Sequence, residues 1–171
     1  MAIIVDPDAP LVVEDGTGLS NADSYISVTD ANTYISAFKG ANAVWDAAAT
    51  LDKTIAARQA AQWLKKFQWK GRREFSAQSL DWPRMYVYDD TGVMVDGVPI
   101  GVIYAAAEVM FLIITGVTIS VDVDKSKQVK RKKIDVLEWE WEAGASNQPS
   151  FPEINRLVSH LIQSGSKVAL G

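Results

Sequence analysis

The feature that most constrains the fold is an apolar run from residue 98 to residue 119 that contains a single charged side chain, Glu108. Pro99 has the φ angle that a helix start needs and lacks only an N–H that would be unpaired there. The uncharged stretches on either side of Glu108 are far shorter than the ~20 residues that a membrane span needs. A helix that is apolar nearly all round packs against neighbours on several sides. The run therefore predicts a central helix from Pro99 to about Thr115, and no membrane association.

Glu108 needs an explanation of its own, because a carboxylate on an apolar helix must be paired or lie at a surface. Two interpretations are open. The first is a buried ion pair with Arg72, Arg73 or Arg84, and the second is a carboxylate that faces another subunit. The first predicts that Glu108→Ala destabilises the fold.

Four further segments have the three- and four-residue apolar spacing of helices. They are a helix capped by Ser27 or Thr29 and ending at Phe38, a short piece around Val44 and Trp45, a helix capped by Thr50 or Asp52 and reaching Phe67, and a helix opened by Pro152 and ended by Gly165.

Two segments have the pattern of β-hairpins. Asp89-Asp90-Thr91-Gly92 is a turn signature between Tyr86–Tyr88 and Val93–Val95. A longer hairpin is predicted from about Ile119 to Trp141, and a phase shift between Val136 and Leu137 indicates a bulge or a register break in its second strand. The fold class predicted is α+β and mainly α-helical: a helix bundle with a long β-hairpin and an ordered aromatic loop.

The 171 residues suffice for one core, and a chain of this length buries about 70% of the surface that it exposes when unfolded. We expect an N-terminal extension and turn segment over residues 1–24, a single domain over residues 25–165 with the long hairpin around 119–141, and a flexible C-terminal tail over residues 166–171.

Composition argues against an active site. The net charge of −4 leaves no global basic field for nucleic acid, and the absence of cysteine excludes thiolate chemistry and Cys-based zinc sites. His160, the one histidine, lies on the last predicted helix with no Ser or Cys partner implied by any motif. The acidic residues lack the spacing of a calcium loop. We therefore predict no catalytic residues, no metal, no cofactor and no enzymatic activity.

The loop between the third and the central helix combines tryptophan and arginine. Its candidate structural residues are Trp69, Arg72, Arg73, Trp82 and Arg84. One interpretation is a stacked aromatic–guanidinium cluster that makes the loop rigid, and the other is direct binding of a ligand.

The strongest electrostatic feature is a basic run followed by an acidic, aromatic one. The basic residues are Lys125, Lys127, Lys130, Arg131, Lys132 and Lys133, and the residues that follow include Glu138, Trp139, Glu140 and Trp141. Such a hairpin would be positive at one end and negative at the other. Three interpretations are open: a solvated edge that resists aggregation, a contact between identical subunits in a ring, or a contact with DNA phosphates in which the tryptophans stack on bases.

The chain resembles the small head-to-tail connector (adaptor, or head-completion) proteins of tailed bacteriophages, in the group labelled DnaT-like single-stranded-DNA-binding proteins. The matching segments keep one order and cover most of the chain. They are residues 13–19 (VEDGTGL), 21–28 (NADSYISV), 69–73 (WKGRR), 80–84 (LDWPR), 87–89 with Gly92, 98–99 with the helix that follows, and 133–141 (KIDVLEWEW).

This resemblance implies a mostly helical adaptor without enzymatic activity. Such proteins form a homo-oligomeric ring, commonly a dodecamer, under the portal protein; genomic DNA passes through the channel, and tail or tail-nozzle proteins dock below. They are made in the host cytoplasm and reside at the head–tail junction of the virion. The resemblance places a portal contact on Lys167, Val168, Ala169 and Leu170. The alternative is a single-stranded nucleic-acid-binding protein that uses the basic run with Trp139 and Trp141.

Overall fold

The computed structural model describes residues 9–89, 91–119, 132–134, 137–139 and 151–163. Within them the chain forms a mainly helical α+β fold, which confirms the predicted fold class. The helices are α1 (Val28–Phe38), α2 (Ala43–Ala47), α3 (Thr50–Leu64), α4 (Ile100–Ile114) and α5 (Pro152–Val158), the last followed by a 3-10 turn (Ser159–Leu161). Two antiparallel pairs of short strands accompany them: β1 (Arg72–Arg73) with β2 (Arg84–Met85), and β3 (Lys132–Ile134) with β4 (Leu137–Trp139).

Helix α4 is the centre of the fold, as the apolar run predicts. It contacts α1, α2, α3 and α5. The helix begins at Ile100, so Pro99 is its N-cap residue and not its first helical residue as predicted. Small buried side chains on α3 and α4 allow the two helices to pack closely: Ala56, Ala57, Ala60 and Ala61 on α3, and Ala105, Ala106 and Ala107 on α4. None of the described helices is long and apolar enough to cross a membrane.

Helix α5 crosses α4 at Gly101. A Cβ atom at this position would lie 2.4 Å from the carbonyl oxygen of Leu157. Only glycine therefore lets the α5 backbone approach α4 this closely.

The helix ends agree with the sequence only in part. Ser27 caps α1, because its Oγ accepts a hydrogen bond from the N–H of Asp30 at 3.0 Å. Neither Thr50 nor Asp52 caps α3; the N-cap is Ala49, which has no side-chain cap bond, so that prediction is wrong. Helix α3 also ends at Leu64, before Phe67.

The last helix is shorter than predicted, because its final apolar residues leave the helix to pair with the aromatic loop. Ile162 forms an antiparallel bridge with Trp69. On either side, the N–H of Lys70 donates to the Leu161 oxygen and the N–H of Gln163 donates to the Gln68 oxygen, both at 2.8 Å.

The long hairpin also differs from its prediction. Strands β3 and β4 pair with each other, with Ile134 opposite Leu137, so the predicted second strand is not one continuous strand. Residues 117–119 are not a strand; the carbonyl oxygen of Ile119 accepts a hydrogen bond from Trp63 Nε1 at 2.9 Å. The predicted strand positions 120–131 lie outside the described residues.

Candidate functional site

The aromatic loop, residues 69–84, is held by the guanidinium group of Arg84. Its Nε donates to the carbonyl oxygen of Lys70 at 2.7 Å, and its Nη2 donates to that of Gly71 at 2.9 Å. Its Nη1 donates to the backbone carbonyl oxygen of Asp81 at 3.2 Å. Burial lowers the pKa of Arg84, yet three carbonyl acceptors suit the cationic form. One side chain thus joins the two sides of the loop.

Gly71 permits the close approach of these two sides. Its φ is 67°, and a Cβ atom there would lie 2.1 Å from the carbonyl oxygen of Met85. The strand pair β1–β2 therefore needs glycine at this position.

The prediction that the arginines of the loop stack on its tryptophans is wrong, because both kinds of side chain have other partners. Trp69 and Trp82 are buried and contact each other edge to face, with ring centroids 5.8 Å apart. Arg73 instead pairs with Asp81, with Nη2 to Oδ1 at 2.8 Å. The guanidinium carbon of Arg72 lies 5.1 Å from the centroid of the Tyr86 ring. The loop is ordered, as predicted, through carbonyl, carboxylate and tyrosine partners.

Three buried residues with polar groups, none of them singled out from the sequence, fix this loop and the N-terminal turn: Tyr25 joins the two segments, Gln78 bonds within the loop and Glu14 bonds within the turn. The hydroxyl oxygen of Tyr25 accepts hydrogen bonds from the N–H groups of Asp81 (2.9 Å) and Trp82 (3.2 Å). Burial raises the pKa of this tyrosine well above its ordinary value of 10.0, so it stays protonated at neutral pH. Gln78 Nε2 donates to the carbonyl oxygens of Leu80 (2.8 Å) and Pro83 (3.1 Å).

Glu14 is the third of these residues. Its carboxylate accepts from the N–H groups of Gly16 (3.1 Å), Gly18 (2.8 Å) and Leu19 (2.9 Å). The signal that could have found it is an acid immediately before a glycine-rich turn, where successive N–H groups point to one oxygen pair. The turn is therefore fixed from inside by a carboxylate and not by glycine alone.

A short hairpin, residues 86–95, projects from the loop, as predicted. The N–H of Val95 donates to the Val87 oxygen at 2.8 Å, and Tyr88 pairs with Met94. The turn is closed by Asp89, whose Oδ1 accepts from Thr91 Oγ1 (2.7 Å) and Val93 N (2.9 Å). The hydrogen bond from the Thr91 hydroxyl is the main reason that the pKa of Asp89 is lowered.

The two faces of this hairpin differ. Val87 is buried and Val95 half-buried against the core. Four large side chains of the hairpin are exposed: Tyr86, Tyr88, Val93 and Met94. Tyr88 and Met94 are paired across the hairpin and therefore lie on the same side of it.

Glu108 is buried and paired, but its partners differ from the predicted arginines. Lys39 Nζ lies 3.0 Å from Glu108 Oε2, and the Tyr34 hydroxyl donates to Glu108 Oε1 at 2.8 Å. Lys39 also pairs with Glu153. Burial opposes the charged form of Lys39, but its hydrogen bonds to Glu153 and Glu108 raise its pKa overall. Burial, and next the bond to Glu108, raise the pKa of Tyr34.

The predicted subunit or DNA contacts lie partly within the described residues. Lys132 and Lys133 are on β3, and Glu138 and Trp139 are on β4. Lys133 is opposite Glu138 in the register, and Lys132 is opposite Trp139. In this backbone register a basic position and an acidic position are neighbours on paired strands. The remaining residues lie outside the described part: Lys125, Lys127, Lys130, Arg131, Glu140, Trp141, Lys167, Val168, Ala169 and Leu170.

The described ranges contain no group of three or more His, Asp or Glu side chains that could hold a metal ion. His160 is exposed in the 3-10 turn. The arrangement as a whole can hold a shape and present a surface.

The family described as "Putative DnaT-like ssDNA binding protein" matches residues 9–170. This match spans nearly the entire sequence, so the chain belongs to that family. No curated protein and no solved structure matches it.

Proposed function

We propose that the protein is a structural head-to-tail adaptor of a tailed bacteriophage. In this proposal, copies form a homo-oligomeric ring, a dodecamer, under the portal protein. The ring extends the DNA channel and gives tail or tail-nozzle proteins a platform. The protein has no enzymatic activity, is made in the host cytoplasm and is carried in the virion.

The observation that carries the proposal is a rigid loop that projects an exposed apolar hairpin. Arg84, Gln78 and Tyr25 tie the backbone of residues 70–83 at several points. Such a loop loses little further conformational entropy when its hairpin binds a partner. The resemblance of the ordered sequence motifs to connector proteins supports the same function.

The proposal is tested by coexpressing the protein with the portal protein of the same phage and imaging the complex by electron microscopy. We expect a closed ring with rotational symmetry coaxial with the portal, and the same ring at the head–tail junction of the particle. Protein expressed without the portal provides the control, because it shows whether the portal serves as the template for assembly. A particle with a single copy, or a junction that lacks the protein, contradicts the proposal.

A second candidate function is single-stranded DNA binding, which the family description favours. The basic run Lys125–Lys133 would contact phosphates, and Trp139 and Trp141 would stack on bases. A labelled oligothymidine titrated at several salt concentrations tests it: phosphate contacts give an affinity that falls steeply with salt. Lys132→Gln with Lys133→Gln should reduce that slope. Lys65→Gln, at the exposed C-cap of α3, is the control. No binding at low salt excludes this function.

A further inference from the structure

A cavity of about 420 Å³ lies between α1, α2 and the first turn of α3. Its volume is typical of sites for small ligands. Asn32 and Ser36 of α1, Trp45 and Asp46 of α2, and Lys53 of α3 line it. We propose that this cavity binds a carboxylate group, which pairs with the ammonium group of Lys53. The site is separate from the aromatic loop, and its test does not depend on the adaptor proposal.

Lys53 is a buried cation without an acidic partner. It is only 7% exposed, and no carboxylate lies within 4.0 Å of its ammonium group among the described residues. Its Nζ donates to Asn32 Oδ1 at 3.1 Å and lies 4.8 Å from the centroid of the Trp45 ring. An ammonium group has three N–H donors, and buried charges in proteins are ordinarily paired with an opposite charge. Lys53 therefore has donors for a further acceptor, and an anion would supply the opposite charge.

The Asn32 amide holds this ammonium group in place but cannot neutralise it. Asn32 Oδ1 also accepts from Trp45 Nε1 at 3.0 Å, so both lone pairs of this oxygen are used. Asn32, Trp45 and Lys53 all line the cavity, and the ammonium group that they surround therefore lies at its wall. Ser36 follows Asn32 by one turn of α1 and lines the same cavity. Its hydroxyl can donate to the second oxygen of a carboxylate.

Asp46 is the other charged residue that lines the cavity. It is exposed, and its Oδ2 accepts from the N–H of Asn42 at 3.2 Å. Within the described part of the chain it forms no ion pair with Lys53. An exposed carboxylate is hydrated and screened by salt, so it does not replace a counter-charge beside a buried ammonium group. The cavity is therefore positive at Lys53 and negative at Asp46.

These two charges select the class of ligand. A carboxylate carries one negative charge, which matches the single ammonium group, and the hydrogen bonds between them are charge-assisted. A phosphate dianion would bring a second negative charge close to Asp46, and like charges repel. The carboxylate can belong to a small molecule or to an acidic side chain of a neighbouring protein, because both present the same group to Lys53.

Titration of the ¹⁵N-labelled protein with sodium acetate at constant ionic strength tests the site. The indole N–H signal of Trp45 is the reporter, because this group bonds to the same Asn32 oxygen as Lys53. We expect a saturable shift of this signal. Lys53→Met should weaken acetate binding at least about tenfold. Lys65→Met, the same change at the exposed C-cap of α3, is the matched control and should not alter it. Asp46→Asn should tighten acetate binding a few fold.

A Trp45 signal that does not shift saturably, or an equal affinity of Lys53→Met, overturns the proposal. Tighter binding of inorganic phosphate than of acetate overturns the assignment to carboxylate. Lys53→Met should keep its thermal midpoint, because an apolar side chain of similar length replaces a buried charge. If this variant does not fold, Ser36→Ala at an exposed position takes its place and should weaken acetate binding severalfold; an unchanged affinity then overturns the proposal.

Coexpression with the portal protein distinguishes the two sources of the carboxylate. Loss of the ring in Lys53→Met but not in Lys65→Met indicates an acidic side chain of a neighbouring protein, and an intact ring indicates a small molecule.

Discussion

Different interactions hold the aromatic loop and the α3–α4 pair. Between α3 and α4 the contact consists mainly of alanine and other apolar side chains. In the loop, Arg84, Gln78 and Tyr25 bond to backbone groups that no regular secondary structure satisfies. Apolar burial is non-directional and supplies most of the stability, whereas each of these hydrogen bonds requires one geometry. The comparison teaches that the helices stabilise this protein and that the polar groups fix the shape of the loop.

The largest expected effect comes from a fully buried side chain of the loop. Trp82→Ala removes a fully buried indole ring and should lower the free energy of unfolding by about 3–5 kcal/mol. Chemical denaturation measures it. Tyr88→Ala, an exposed aromatic of the adjoining hairpin, is the matched control and should change stability by less than about 0.5 kcal/mol. Equal effects of the two would contradict the burial assigned to Trp82.

The close contact between α4 and α5 should be the most sensitive point of the helical part. Gly101→Ala places a methyl group against the Leu157 carbonyl oxygen and should destabilise the fold by roughly 1–3 kcal/mol, although alanine favours helices. Gln59→Ala on the exposed side of α3 is the control and should be neutral or slightly stabilising. A thermal midpoint for Gly101→Ala equal to that of the wild type would show that the helices do not approach this closely.

The next prediction concerns the stability contributed by the buried Glu108 carboxylate in the helical part. Glu108→Ala leaves the Tyr34 hydroxyl without its acceptor, but Lys39 keeps Glu153. We therefore expect a loss of about 1–3 kcal/mol, less than for an isolated buried pair. Urea unfolding measures the loss, and Glu153→Ala, the exposed acid of the same cluster, should cost less. Unchanged stability of Glu108→Ala would contradict the pairing.

A smaller and local effect is expected for the loop. Arg84→Lys keeps the charge but cannot supply three donors in one plane. Amide hydrogen exchange should become faster at Gly71 and Met85 and stay unchanged in α3 and α4. Arg72→Lys is the control, because the Arg72 side chain donates to no backbone carbonyl in the described structure. Faster exchange throughout the molecule would show that the loop and the helices are not separable.

The smallest effect is the pH dependence of the Lys39 cluster. The hydrogen bond from Lys39 lowers the pKa of Glu153 below its ordinary value of 4.5. The contribution of this ion pair to the free energy of unfolding is therefore present above pH 4.5 and is lost as the pH falls through the lowered pKa. The raised pKa of Lys39 gives stability that is present below 10.5 and lost as the pH rises above it. Glu153 is exposed, so the acid effect should be less than about 1 kcal/mol. Unfolding midpoints of wild type and Lys39→Met from pH 3 to pH 7 should converge at low pH; a constant difference would contradict the ion pair.

The sequence predicts the helical part well, because its signals are local. The apolar run defined α4, and Ser27 and Pro152 marked helix starts. The partner of Glu108 was missed, because Lys39 is 69 positions away and nothing in its neighbourhood marks it as buried. The arginines of the loop were recognised as structural, but the acceptors of Arg84 are backbone carbonyls, which have no residue signature. The end of α5 was missed because pairing with Trp69 competes with helix formation.

The Tyr25 hydroxyl accepts from two successive amides that lie 56 and 57 positions further along the chain. Phenylalanine would fit the same space but would leave both N–H groups without an acceptor. No other natural side chain extends a hydroxyl as far from the backbone. Among relatives of this chain, the NADSYIS and LDWPR segments should therefore be kept or lost together, as a single unit of inheritance.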